Sequence, residues 1–217
     1  AAYPPLAASD CLVNVGTGAF TLSPQPEKPP AQRLLRSLCY SDARQVRFLS
    51  EGTVNGAGAA LDWLSQQLPQ PSLYPQLTQW LEQISDPPLF INTLAGLGSP
   101  WWCDAGEAEF IGPDELSAPQ KYVALIESIV FLLSHNLQQL AQPPQRLLIS
   151  GGLSQLDGLC QKLADLNQAS VLRFAQSEAS ARGCASLANQ FAEHGNGQWQ
   201  HLTVQQSFLA QQNHGLA

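Results

Sequence analysis

The chain has 217 residues, 44% of them hydrophobic and 12% charged, enough apolar material for one good core or two small ones. Its formal net charge is −7 and its ten Lys and Arg are scattered singly, which argues against a nucleic-acid surface built from clustered cations. The same balance leaves a phosphate-bearing small molecule open, because helix ends and backbone amides hold phosphates locally.

In chain order, Cys11 to Val15 and Ala19 to Ser23 read as a β-hairpin with its turn at Gly16-Thr17-Gly18. The proline-rich stretch Pro24 to Pro30 reads as a loop, since neither a helix nor a central strand tolerates it. Val46 to Leu49 is a strand, followed by Glu51-Gly52. From Val54 to Leu68 the pattern turns helical, with Ala57, Leu61 and Leu64 on one stripe, and Pro69 and Pro71 end it. Tyr74 to Ile84 is a second amphipathic helix, closed by Pro87-Pro88. Leu89 to Asn92 is a short strand before the loop Ala95-Gly96-Leu97-Gly98-Ser99-Pro100-Trp101-Trp102.

The longest helix is expected over Pro119 to Leu140, where Val123, Ile126, Val130, Leu133, Leu137 and Leu140 recur every three or four residues. Arg146 to Ser150 follows as a strand, Leu153 to Leu166 as a helix, Val171 to Phe174 as a strand and Glu178 to Glu193 as a helix. The Gln-rich tail from His194 is expected to be loosely attached. Alternating helices and strands after an initial hairpin predict an α/β domain with a mixed sheet flanked by helices.

The five cysteines are odd in number and include no Cys-x-x-Cys pair, and the four histidines make no ligand spacing. Reduced thiols in a cytoplasmic protein are therefore expected, with Cys103 and Cys184 as small buried hydrophobes. The longest apolar run, Val123 to Leu133, is broken by Glu127 and too short to cross a bilayer, so no membrane partner is expected. There is no methionine, and the expectation is a piece of a longer polypeptide.

Two strands run into glycines: Val13-Asn14-Val15-Gly16-Thr17-Gly18-Ala19-Phe20 and Leu147-Leu148-Ile149-Ser150-Gly151-Gly152. Glycine lets backbone N–H groups approach phosphate or ribose, and the adjacent hydroxyl adds a donor. Two such turns suit the two ends of a nucleotide. Three other segments stand in order with the hairpin and with Ser150-Gly151-Gly152-Leu153-Ser154: Glu51-Gly52 through Gly58-Ala59-Ala60-Leu61-Asp62-Trp63-Leu64, Leu94-Ala95-Gly96-Leu97-Gly98-Ser99-Pro100-Trp101-Trp102, and Glu178-Ala179-Ser180-Ala181-Arg182-Gly183-Cys184-Ala185.

Together the five resemble the C-terminal domain of the FGGY carbohydrate kinases, the family of glycerol kinase and xylulokinase, over residues 11 to 190. The resemblance implies an actin-like ATPase domain of the ribonuclease-H type over 1–193, a polar tail over 194–217, and an N-terminal substrate domain outside this chain. It implies ATP and Mg2+ as cofactors and a sugar or polyol as substrate; a homodimer is left open as a further partner. By the same resemblance Gly16, Thr17 and Gly18 sit at the β- and γ-phosphates, Gly58 near the ribose with Asp62 beside it, and Gly151 and Gly152 against the adenosine. Phe20 matches the aromatic that covers the polyol in glycerol kinase. The Gly-Thr-Gly-Ala-Phe form leans toward glycerol kinase over xylulokinase.

The family's general base is an aspartate in a Gly-Asp-x-Gln-Ala-Ala-like motif. Ala1-Ala2 resembles its end, which implies an aspartate just ahead of Ala1 and no catalytic residue in this chain. Asp10 reads instead as a turn-forming residue at a strand start. Two positions depart from the glycerol kinase pattern: Asp62 stands for glutamine, and Leu156 for an asparagine near the adenine. Those departures give weight to one rival reading, an inactive relative. The other, a non-catalytic actin-like regulatory module, shares glycine hairpins with the fold but is opposed by the Gly96-Leu97-Gly98-Ser99-Pro100-Trp101 loop, which resembles the kinases specifically. Ser154 and Asp157 have capping-box spacing, and Trp101 and Trp102 read as loop anchors rather than a substrate shield.

Overall fold

The computed structural model describes residues 6–24, 33–41, 46–175, 178–191 and 202–211. The chain opens with the antiparallel hairpin β1 (Asp10–Val15) and β2 (Ala19–Pro24). Two further strands, β3 (Leu35–Ser41) and β4 (Val46–Val54), extend the sheet beside β2. Helices α1 (Gly58–Gln67) and α2 (Leu73–Gln83) follow, then a small ribbon of β5 (Leu89–Ile91) and β6 (Glu109–Ile111). The long helix α3 (Ala118–Gln138) leads to β7 (Arg146–Ser150), α4 (Asp157–Asn167), β8 (Ser170–Phe174), α5 (Ala179–Phe191) and β9 (Val204–Phe208).

The seven-stranded sheet runs β3-β4-β2-β1-β7-β8-β9, with β1, β7 and β8 parallel and the remaining pairs antiparallel. Its mixed character is as expected. Side chains alternate across it: Cys11, Val13, Leu147, Ile149 and Val171 enter the main core with α1 to α4, while Leu12, Leu148 and Leu172 meet a smaller cluster with Phe174 and Leu202 on the other face. Ser117 caps α3 in a full capping box with Gln120, and Pro119 sits in the first turn where no N–H is needed.

Tertiary pairing overrode local propensity in four places. Gly52, Thr53 and Val54 pair with Thr21, Phe20 and Ala19, so β4 continues to Val54 and α1 starts at Gly58, not Val54. The edge strand β3 and the short β6 had no clear sequence signal. Residues 204–208 of the tail are not loosely attached, because β9 pairs antiparallel with β8 and buries Phe208. The proline-rich loop over 25–30 and the tail residues 194–201 and 212–217 lie outside the described residues.

Cys103 and Cys184 are exposed, contrary to expectation, because the loop and helix that carry them turn these positions outward; Cys39 is exposed as well. Cys11 and Cys160 are the buried thiols, and burial pushes each up to about 12. Glu127 forms an ion pair with Lys162 of α4 at 2.7 Å. Among the described residues no helix is long and apolar enough to cross a membrane.

Asp10 begins β1 as a structural carboxylate, only 1% exposed. Arg146 Nε and Nη2 donate to its two oxygens at 2.7 Å each, and the Ala7 N–H donates to Oδ2 at 2.8 Å. Burial pushes the Asp10 carboxyl up, but the Arg146 hydrogen bonds, the Ala7 N–H and the guanidinium charge outweigh it and hold the group below its ordinary value. The depressed value means that the pair stabilises the fold above roughly pH 4, the unfolded carboxylate range, and that this contribution is lost as pH falls through the folded value.

Arg146→Met strands a buried carboxylate and should destabilise the protein by about 3 kcal/mol at pH 7. Its deficit should narrow toward pH 4 as the stranded group takes up a proton. Asp10→Asn leaves a half-exposed cation and should be milder. Urea denaturation of both variants at the two pH values checks the order and the pH trend. A chromogenic disulfide reagent should titrate Cys39, Cys103 and Cys184 promptly in the native chain, and Cys11 and Cys160 only after unfolding.

Candidate functional site

The predicted glycine segments meet at one end of the sheet. Parallel pairing of β1 with β7 sets Asn14 opposite Ser150, and Asn14 Nδ2 donates to Ser150 Oγ at 3.0 Å. The turn after β1 and the turn after β7 therefore leave the sheet side by side. Asn14 and Ser150 form a bridge that the motif reading missed; the available signal was that each residue lies just before a glycine turn.

The hairpin turn is closed by the Gly16 N–H donating to the Gly18 carbonyl at 2.9 Å. The first turn of α1 docks on it directly: the Gly58 N–H donates to the Gly16 carbonyl at 2.8 Å and the Ala59 N–H to the Thr17 carbonyl at 2.9 Å. These contacts replace the side-chain cap that α1 lacks. A Cβ at position 58 would lie 2.6 Å from the Gly16 oxygen, so this approach requires glycine. Thr17 is exposed at the tip of the turn, and the half-buried Phe20 ring lies beside Gly18. Asp62, one helical turn beyond Gly58, is exposed on the same side of α1.

At the other turn Gly151 adopts φ +93, and a Cβ there would meet the Val15 carbonyl at 2.5 Å. Gly152 is exposed with open space around its missing Cβ. The Gly16-Thr17-Gly18 turn, Gly58 and Gly151 thus meet through backbone contacts, with Phe20 beside the hairpin turn, while Asp62 and Gly152 are exposed next to Gly58 and Gly151 along the chain.

A 3-10 turn over Gly152–Gln155 precedes α4, so the helix starts at Asp157 rather than Leu153. The capping box expected of Ser154 and Asp157 does not form. Ser154 Oγ donates instead to the Gly151 carbonyl at 2.6 Å, and both Asp157 oxygens are held by Arg173 and Gln206. Leu156 is buried in the core, so its side chain offers no polar contact to a base.

The Gly96–Trp101 loop docks on β4: the Ser99 N–H donates to the Thr53 carbonyl at 3.1 Å, and Ser99 Oγ accepts from the Thr53 N–H at 2.5 Å. Since Thr53 pairs with Phe20, this loop is tied to the strand that carries the expected substrate contact. Trp101 stacks on His135 with centroids 4.6 Å apart, and Trp102 Nε1 donates to the Arg33 carbonyl at 2.9 Å. Both hold the loop by these surface contacts and not by the expected packing into the core: each is exposed. A cavity of about 890 Å3 under Trp63, Thr93 and Trp102 contains none of the glycine-site residues.

The profile of the FGGY family of carbohydrate kinases, C-terminal domain, matches residues 11–191. Glycerol kinase of Alkalilimnicola ehrlichii is 31% identical over 182 residues, covering 80% of this chain and 37% of that protein. Apulose kinase of Pectobacterium atrosepticum is 30% identical over 184 residues, covering 79% and 35%. Among solved structures, Plasmodium falciparum glycerol kinase with ADP superposes with a TM-score of 0.75 at 20% identity, covering 92% of this chain and 42% of that one. Xylulose kinase of Rhodospirillum rubrum gives 0.74 at 17%, covering 95% and 44%. The structural likeness establishes the shared actin-like fold, and the chain spans less than half the length of each of these relatives. On this match and this fold, the chain belongs to the FGGY family of carbohydrate kinases, of which it forms the C-terminal domain.

Proposed function

We propose that this chain is the ATP-binding half of a cytoplasmic kinase that transfers the γ-phosphoryl group of ATP to a hydroxyl of a sugar or polyol, glycerol or a ketose. The observation that carries the reading is the convergence of the Gly16-Thr17-Gly18 turn, Gly58 and the Gly151-Gly152 turn on one face. In this reading residues 1–193 make the nucleotide domain, and the substrate domain with its general base comes from the preceding part of the polypeptide. Asp10 is not that base, since Arg146 occupies both of its oxygens.

The residues present suit a nucleotide. Phosphoryl transfer asks the protein mainly to align donor and acceptor and to stabilise charge on the transferring group. The exposed Thr17 hydroxyl and the hairpin amides suit the phosphates, Gly58 and Asp62 the ribose side, and Gly151 and Gly152 the adenosine side. Phe20 covers the acceptor and excludes water from it. Among the described residues no cluster of three or more Asp, Glu, His or Cys side chains suits a metal ion. Mg2+ therefore enters this reading with the phosphates of ATP, without a cage from this half. Closure of the two domains would bring the general base to the hairpin turn.

The test is ADP release by the full-length protein with Mg-ATP and a panel of glycerol, pentuloses, heptuloses and pentitols. A signal that depends on one acceptor class supports the kinase and names its substrate; silence across the panel with ATP bound favours the inactive relative. Thr17→Ala should lower kcat by about tenfold or more while changing the ATP dissociation constant less, because its hydroxyl acts on the transferring phosphoryl group. Equal turnover in that variant removes the phosphate role of Thr17.

A further inference from the structure

Arg173 of β8 is buried, with 7% exposure, and its guanidinium links three parts of the chain. Nη1 donates to the Ser154 carbonyl at 3.1 Å and to Asp157 Oδ1 at 2.7 Å. Nη2 donates to Gln206 Oε1 of β9, and Gln206 Nε2 donates to Asp157 Oδ2 at 3.2 Å. The guanidinium carbon also lies 5.3 Å from the Phe208 ring centroid. Ser154 passes the connection on: its N–H and its Oγ both donate to the Gly151 carbonyl, at 3.1 and 2.6 Å, and Gly151 is the residue pressed against Val15. A continuous polar chain therefore runs from the C-terminal strand to the second glycine turn.

Stability alone gives little reason for a buried cation here, since an apolar side chain of similar volume often packs as well as a buried ion pair. What an apolar side chain cannot do is hold a backbone carbonyl, a carboxylate and an amide in one planar fork. Residues 204–208, which supply Gln206 and Phe208, lie beyond the 11–191 family match.

We infer that Arg173 is a positioning residue for nucleotide binding, and that β9 sets it: the C-terminal strand orients the guanidinium, which fixes the Ser154 carbonyl and with it the Gly151-Gly152 turn. This inference rests on the nucleotide reading of the glycine face. Arg173 does not touch the nucleotide; it determines where the adenosine-side turn stands.

The experiment uses full-length protein and titrates ADP against wild type, Arg173→Met and Gln206→Ala, each held well below its own melting temperature. ADP binding should weaken about tenfold in Arg173→Met, from loss of charged hydrogen bonds, and about threefold in Gln206→Ala, which removes only the β9 link. With the acceptor found by the ADP-release assay, KM for ATP should rise in parallel while kcat and the acceptor KM stay within about twofold, the pattern of lost uniform nucleotide binding. If Arg173→Met does not fold, Gln206→Ala decides the question. Wild-type affinity for ADP in the folded variants overturns the role of Arg173, as does an equal loss in every kinetic parameter. Failure of the wild type to bind ADP overturns the nucleotide reading itself, an outcome distinct from equal binding by all three proteins.

Discussion

The parallel pairing of β1 with β7 is the constraint on which the site depends. These strands lie far apart in the chain, and their register is held at both ends by contacts between residues 136 positions apart. At one end Arg146 forks onto buried Asp10; at the other Asn14 donates to Ser150. A one-residue slip of β1 would carry Cys11 and Val13 out of the core, a slip of β7 Leu147 and Ile149, and either would break both clamps together. In a chain with only 12% charged residues, a bidentate ion pair at the start of a central strand is a specific marker of register.

Given that register, the local chemistry follows from how the turns are supported. The N-terminus of α1 does not present all its amides to a ligand, because those of Gly58 and Ala59 are taken by the hairpin carbonyls. The helix thereby holds the hairpin turn rigid, and Thr17 at its tip is left to face outward. Gly151 supports the second turn by backbone contact with Val15. Each turn is therefore positioned by direct backbone packing that a larger residue would displace, a firmer mounting than a mobile loop provides.

The far edge of the sheet contributes through Arg173. The charge buried between α4, the 3-10 turn and β9 is engaged through both terminal nitrogens, although its Nε has no partner among the described residues, and its fork ties those three elements into one unit. Asp157, which by spacing alone suggested a helix cap, is thereby committed to the guanidinium and to Gln206. The same geometry ties β9 through Arg173 to the turn after β7, so the strand is part of the sheet rather than an appendage.

Sequence by itself determined the α/β class, most element positions and the glycine turns, because hydrophobic periodicity, proline boundaries and glycine at strand ends are local signals. Ordered together, the five segments also carried the family resemblance. Only the tertiary structure decided what depends on pairing between distant segments. It made β4 continue through Gly52 to Val54, because a ladder with β2 outweighs the helical pattern that begins there. It turned Cys103 and Cys184 outward, placed Leu156 in the core, and drew residues 204–208 of the Gln-rich tail into the sheet. The bridge from Asn14 to Ser150 and the fork of Arg173 were illegible for the same reason: each joins residues whose proximity arises from strand register, which no local window of sequence contains.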